Sequence, residues 1–143
     1  MDTAFTASKS IVINALPEKV WTALTDPEVV KQYMFGAEVV SDWQKGGPLV
    51  YKGVWEGKPY EDKGTILDIE PGKLLSATYF SALSGLEDKP ENYNVVSYQL
   101  SPEPNNATKL TVTQTNNPTQ EAASTAEDNW GMTLAGIKEL LEK

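Results

Sequence analysis

The sequence predicts an α+β domain, in which two short helices follow the first strand, an antiparallel sheet of about six or seven strands fills the middle and a long helix closes the chain. Three observations predict it. Prolines punctuate the stretch from Leu16 to Gly36 at Pro17 and at Asp26-Pro27, the spacing of two short helices. Apolar residues then alternate with period two from Ala37 to Thr115. The last segment, Thr119 to Lys143, places Trp130, Leu134, Ile137 and Leu141 at helical spacing.

Taken in order, Phe5 to Ala15 alternates with Ile11 and Ile13 on one side and Val12 on the other, as a strand does. Pro17 suits the first turn of a helix, Glu18 suits its positive end, and Val20, Trp21 and Leu24 give it a narrow apolar face. Asp26-Pro27 stops that helix and caps a second, with Val29, Val30, Tyr33 and Met34 turned inward. Turn signals at Gly46-Gly47-Pro48, Glu56 to Pro59, Glu70 to Lys73 and Pro102 to Asn106 cut the following region into strands. The strands run near Glu38 to Trp43, Leu49 to Trp55, Tyr60 to Ile69, Leu74 to Ser81, Tyr93 to Ser101 and Ala107 to Thr115. Short turns between consecutive strands imply an antiparallel meander.

Strand parity selects the buried face. Leu49, Tyr51, Gly53 and Trp55 share one side, as do Leu75, Ala77 and Tyr79, then Val96, Tyr98 and Leu100, then Leu110, Val112 and Gln114. Ala82 to Asn92 reads as a longer loop suited to a lid. Along the final helix Ala123 and Ala126 precede Trp130 on the same face, and such small residues would leave space between helix and sheet.

With 143 residues, 40% of them hydrophobic, the chain fits a single domain spanning residues 1–143. It has no cysteine and no histidine, and all twelve basic residues are lysine. Thiol and imidazole chemistry, zinc sites built on those ligands and guanidinium clamps are thereby excluded. No metal-ligand spacing, phosphate loop or nucleophile elbow occurs, so no cofactor and no catalytic residue is expected. The formal net charge of −8, with lysines scattered, argues against nucleic acid or anionic membrane as a partner. Met1 to Ser10 lacks the basic start and apolar core of a signal peptide, and no apolar run is long enough to span a bilayer. A cytoplasmic monomer is the expectation.

Pro17-Glu18-Lys19-Val20-Trp21, Ala23 to Pro27, Gly46-Gly47, Gly64 with Ile66 to Pro71, Leu75 with Thr78-Tyr79, and Trp130 with Leu134, Ile137 and Leu141 occur in a telling order. In that order the chain resembles the START/Bet v 1-like (SRPBCC) helix-grip superfamily, and in particular the domain similar to the activator of heat-shock-protein-90 ATPase. Two departures are visible: Tyr33-Met34-Phe35 stands where the family often has paired tryptophans, and Asn129 where a glycine precedes the helix tryptophan. The resemblance implies a helix-grip fold, its curved antiparallel sheet wrapped around the long C-terminal helix with a cavity between the two, and a stress-related role as a chaperone cofactor.

The residues proposed to bind a ligand are Tyr51, Trp55, Tyr79, Tyr98, Gln114, Ala126, Trp130 and Leu134. The tryptophans Trp21, Trp43, Trp55 and Trp130 suit either a chamber or plain core, and the tyrosines add hydroxyls that can orient a polar group. Gln114 and Asn116 continue the inward face of the last strand, while Asp62 and Asp68 share a parity that could pair carboxylates but are expected at the surface. The acidic pair Glu87-Asp88 is expected only to keep the surface soluble. Three functions follow: non-enzymatic binding of a small hydrophobic or amphipathic molecule such as a lipid or aromatic metabolite, binding of a chaperone or other protein partner, and a cyclase- or dehydratase-like enzyme that shapes its substrate.

Overall fold

A computed structural model describes residues 5–34, 36–81 and 86–142, with the side chain of Trp55 outside the description. The elements are β1 (Phe5–Ile13), α1 (Pro17–Thr25), α2 (Pro27–Tyr33), β2 (Glu38–Ser41), β3 (Pro48–Trp55), β4 (Lys58–Glu70), β5 (Leu74–Tyr79), β6 (Asn94–Glu103), β7 (Ala107–Asn117) and α3 (Gln120–Leu141), with a 3₁₀ turn at Pro90–Asn92. The seven strands form one antiparallel sheet in the order β1-β7-β6-β5-β4-β3-β2. The predicted helix-grip arrangement is the one observed.

Local chemistry sets the element ends. Pro17 occupies the first turn of α1, where its missing N–H costs nothing. The Asp26 carboxylate accepts from the Glu28 amide at 2.9 Å and caps α2. Thr119 caps α3 in the same way, its hydroxyl accepting from the Ala122 amide at 3.0 Å. Across α1 and α2, the Tyr33 hydroxyl donates to the Ala23 carbonyl at 2.8 Å and fixes the pair.

The core lies between the concave face of the sheet and the three helices. Ile13, Val20, Val30, Ile66, Leu75, Leu110, Val112, Leu134 and Ile137 are its most deeply buried members. On the parity argument, Tyr51, Ala77, Val96 and Tyr98 join the same face, each at least nine-tenths buried.

Helix α3 packs most closely against β1, one edge of the sheet. Its side chains satisfy the edge backbone: Glu127 accepts from the Ser8 amide at 3.1 Å, Lys138 donates to the Val12 carbonyl at 2.8 Å, and Glu142 accepts from the Asn14 amide at 2.8 Å. The fully buried Ala123 lets the helix approach closely. Small residues on this helix therefore serve contact with the sheet, and the space beneath the helix opens elsewhere.

Two local details depart from simple alternation. A bulge between Ile66 and Asp68 turns Asp68 to solvent while Ile66 stays buried. At the end of β7, Asn116 adopts a left-handed conformation with φ of 60°, so its side chain leaves the inward face. There it donates to the carbonyls of Glu91 and Tyr93, both at 2.9 Å, while the neighbouring Asn117 is buried in its place.

The segment expected to form a lid is only partly described, since Ala82–Gly85 lies outside the described residues. Its remainder is fastened to the outer face of the sheet. Tyr93 stacks on Phe80 with centroids 5.1 Å apart and donates to Asp88 at 2.5 Å, and Asp88 pairs with Lys63 at 2.5 Å. Asp88 is thus a fastening rather than a merely solvating charge, and Lys63 with the Tyr93 hydroxyl holds its carboxyl below the usual range.

Candidate functional site

Between the concave sheet and the middle of α3 lies a mainly apolar cavity of about 220 Å³. β3 contributes Leu49 and Tyr51, β5 contributes Leu75, Ala77 and Tyr79, and β6 contributes Val96 and Tyr98. Met34 closes one side, Gln114 comes from β7, and α3 lays Asn129, Trp130 and Thr133 across the top.

Five of the eight proposed ligand-binding residues, Tyr51, Tyr79, Tyr98, Gln114 and Trp130, therefore line one space. Leu134 does not line it, being 1% exposed and locked into the core one helical turn further on. Ala126 is half-buried and lies away from the cavity, nearer the helix start. The side chain of Trp55 lies outside the described residues. Trp21 and Trp43 pack against the core as structural rings. Asn129 and Thr133 were missed because they sit beside the Trp130 face rather than on it, and flanking polar positions carry no periodic signal.

The polar groups of the wall divide into those already engaged and those that are not. The Trp130 indole N–H donates to Gln114 Oε1 at 3.0 Å, and Gln114 Nε2 donates to Asn117 Oδ1 at 2.8 Å. Asn117 in turn donates to the Phe5 carbonyl at 2.8 Å, so this chain of amides ties lid helix to sheet edge. The Tyr98 ring meets the Trp130 ring edge-on at 5.7 Å. The Tyr79 hydroxyl donates to Asp62 Oδ2 at 2.7 Å. Asp62 is 8% exposed, which corrects the expectation that it faces solvent: its position opposite Tyr51 on β3 turns it to the concave face, where Tyr79 meets it.

Burial dominates the ionisation of these phenols. It pushes Tyr51 up to about 12 and moves Tyr79 and Tyr98 well above the ordinary tyrosine range. The charge of Asp62 adds to the effect at Tyr79, and at Tyr98 the neighbours Tyr51, Tyr33 and Tyr79 add to it. All three wall tyrosines are consequently neutral hydrogen-bonding groups at ordinary pH. Among the described residues no group of acidic side chains could hold a metal ion, and no helix is long and apolar enough to cross a membrane.

The family model for Activator of Hsp90 ATPase homolog 1-like protein matches residues 14–142. No curated protein matches the chain. Among solved structures, a protein of Cytophaga hutchinsonii is 46% identical, with a TM-score of 0.86 over 99% of this chain and 97% of that one. A protein of Mesorhizobium loti is 25% identical, with a TM-score of 0.77 over 96% of this chain and 97% of that one. The Aha1 dimer of Colwellia psychrerythraea shares the fold at 21% identity, with a TM-score of 0.74 over 96% of each chain.

Proposed function

The chain belongs to the Activator of Hsp90 ATPase homolog 1-like family, and from that premise we propose that it is a non-enzymatic binding protein for a small hydrophobic or amphipathic molecule held between sheet and C-terminal helix. The observation that carries this reading is the cavity itself, lined by Tyr51, Tyr79, Tyr98 and Trp130 on elements that the fold would otherwise pack together. Cores close to the density of organic crystals, and voids larger than a water molecule are few. The opening of about 220 Å³ in the middle of the grip is a place where that packing stops, and it supports the binding reading. It lies just below the ~300 to 1,000 Å³ usual for ligand pockets, which favours a compact occupant.

Proton-nitrogen NMR and tryptophan fluorescence during titration with compact aromatic and aliphatic compounds test the reading. Saturable shifts at Tyr51, Tyr98, Trp130 and their neighbours are expected. Flat spectra across the panel would remove it.

The family's description favours a second reading, a partner-binding module acting on a chaperone in the cytoplasm, with the acidic surface meeting a basic patch. Here the outer surface matters and the cavity does not. Stimulation of a chaperone's ATPase rate by the protein, undiminished when Tyr98 is replaced by Trp to fill the cavity, would separate this reading from the first.

A further inference from the structure

We propose that the cavity selects an uncharged ligand bearing a carbonyl-type acceptor oxygen, which the hydroxyls of Tyr51 and Tyr98 hold together. The inference rests on the cavity-binding reading above and names the chemistry of its occupant.

Buried polar groups almost always find hydrogen-bond partners, so those that do not call for an explanation. Tyr51 is 8% exposed and Tyr98 is 9% exposed. Neither hydroxyl has a hydrogen-bond partner among the described residues, whereas Tyr33 donates to the Ala23 carbonyl and Tyr79 to Asp62. Among the described residues no buried side-chain nitrogen or oxygen is closed off without a partner, so both hydroxyls keep some accessible surface, and the cavity is the space that their residues line. The amide that could have served them, Gln114, is engaged by Trp130 and Asn117.

These two groups start from β3 and β6, with β4 and β5 between them, and the curvature of the sheet brings them to one space. Each is a neutral phenol and a better donor than acceptor, because its oxygen lone pairs are shared with the ring. A carbonyl oxygen has two lone pairs and accepts from both.

The wall also decides against charge. Among the described residues no lysine lines the cavity, the chain has no arginine or histidine, and the wall's Tyr79 is bonded to the carboxylate of Asp62. A carboxylate entering here would lose its hydration and gain no cation, with a second carboxylate one residue away on Tyr79. Fatty-acid anions are thus poor candidates, and neutral ketones, esters or amides of compact shape are good ones.

Three probes of one skeleton test this by calorimetric titration: 2-acetylnaphthalene, 2-ethylnaphthalene and 2-naphthoate, against the native protein, Tyr51→Phe, Tyr98→Phe and the double variant. The ketone should bind native protein about tenfold more tightly than the hydrocarbon, the gain of two modest hydrogen bonds, and naphthoate most weakly. Each single variant should lose part of that preference and the double variant all of it, with hydrocarbon affinity unchanged. The infrared carbonyl stretch of the bound ketone should fall to lower wavenumber in native protein and return in the double variant. Equal binding of ketone and hydrocarbon, or tightest binding of naphthoate, overturns the inference and leaves a binding cavity standing. Binding of none of the three overturns both.

Discussion

The indole N–H of Trp130 on α3 donates to the side-chain oxygen of Gln114 on β7 at 3.0 Å, joining the helix to the sheet at the margin of the cavity. Gln114 also donates to the buried Asn117, so removing it strands two partners at once. Gln114→Leu should lower stability by about 1 to 3 kcal/mol, because the groups left behind lose their partners away from water. Urea unfolding measures the loss, and a shift in Trp130 emission in the folded state reports the freed indole.

The tyrosines give opposite expectations for the same chemical change. Tyr33→Phe deletes the 2.8 Å bond to the Ala23 carbonyl and should cost about 1 kcal/mol. Tyr51→Phe and Tyr98→Phe delete hydroxyls without partners among the described residues and should leave stability within about 0.5 kcal/mol of native, or slightly raise it. Thermal unfolding of the three variants side by side makes the comparison, and a large loss at Tyr98 would show that its hydroxyl is structurally engaged.

Gly64 on β4 faces the backbone of Thr78 so closely that a Cβ would lie 1.6 Å from the Thr78 carbonyl oxygen. Backbone on both sides cannot yield as a side chain can, and Gly64→Ala should destabilise by about 3 kcal/mol. Gly131 on α3 offers the control. A Cβ there meets only Lys9 Cε, at 3.3 Å, and a lysine stem swings aside. Gly131→Ala should therefore stabilise the helix by up to about 1 kcal/mol. Chemical denaturation that ranks the two variants in the reverse order would refute the packing argument.

Alkaline pH should unfold the protein through its buried phenols. Burial raises the folded-state ionisation of Tyr33, Tyr51, Tyr79 and Tyr98 above the ordinary value of 10.0, so between the two values the native state keeps protons that the unfolded state releases. Their contribution to stability is thus fully present below about pH 10 and is lost as pH rises beyond it, by about 1.4 kcal/mol per pH unit for each group. For Tyr51 the loss continues to about 12. Urea midpoints across that window should fall steeply, and the tyrosinate absorbance of these residues should appear together with unfolding. A gradual rise of that absorbance in folded protein would contradict the upward shift that burial of these residues imposes.

Periodicity carried the sequence reading a long way and stopped where local geometry overrides it. Alternation alone placed Tyr51, Ala77, Tyr98 and Val112 on one face, because a strand's side chains can take only two directions. It misplaced Asn116, where a positive φ breaks the alternation, and the surface assignment of Asp62 overlooked the cross-strand Tyr79 that makes its burial tolerable. Asp68 is exposed as expected, and the bulge after Ile66 is what parts it from the buried parity of its strand. Small residues on α3 suggested space, yet close approach to β1 consumes it, and the cavity opens beside Trp130 instead. Parity can say that Tyr51 and Tyr98 face inward. Whether their hydroxyls find partners depends on which other strands arrive beside them, and a single strand's pattern holds nothing of that.

The pairing of β1 with β7 has a consequence for how the molecule is made. Ile11 lies opposite Leu110, and the clamps from Glu127, Lys138 and Glu142 come later still in the chain. On the ribosome, the earliest strand must wait for about a hundred residues of further synthesis before its neighbour exists, and contacts of such high sequence separation form slowly. The β2 to β6 meander can assemble before β7 is made, but joining β1 must wait for β7, and seating α3 comes later still. Until then the nascent chain carries an unpaired strand, and this interval is when it is most open to chaperones and to aggregation.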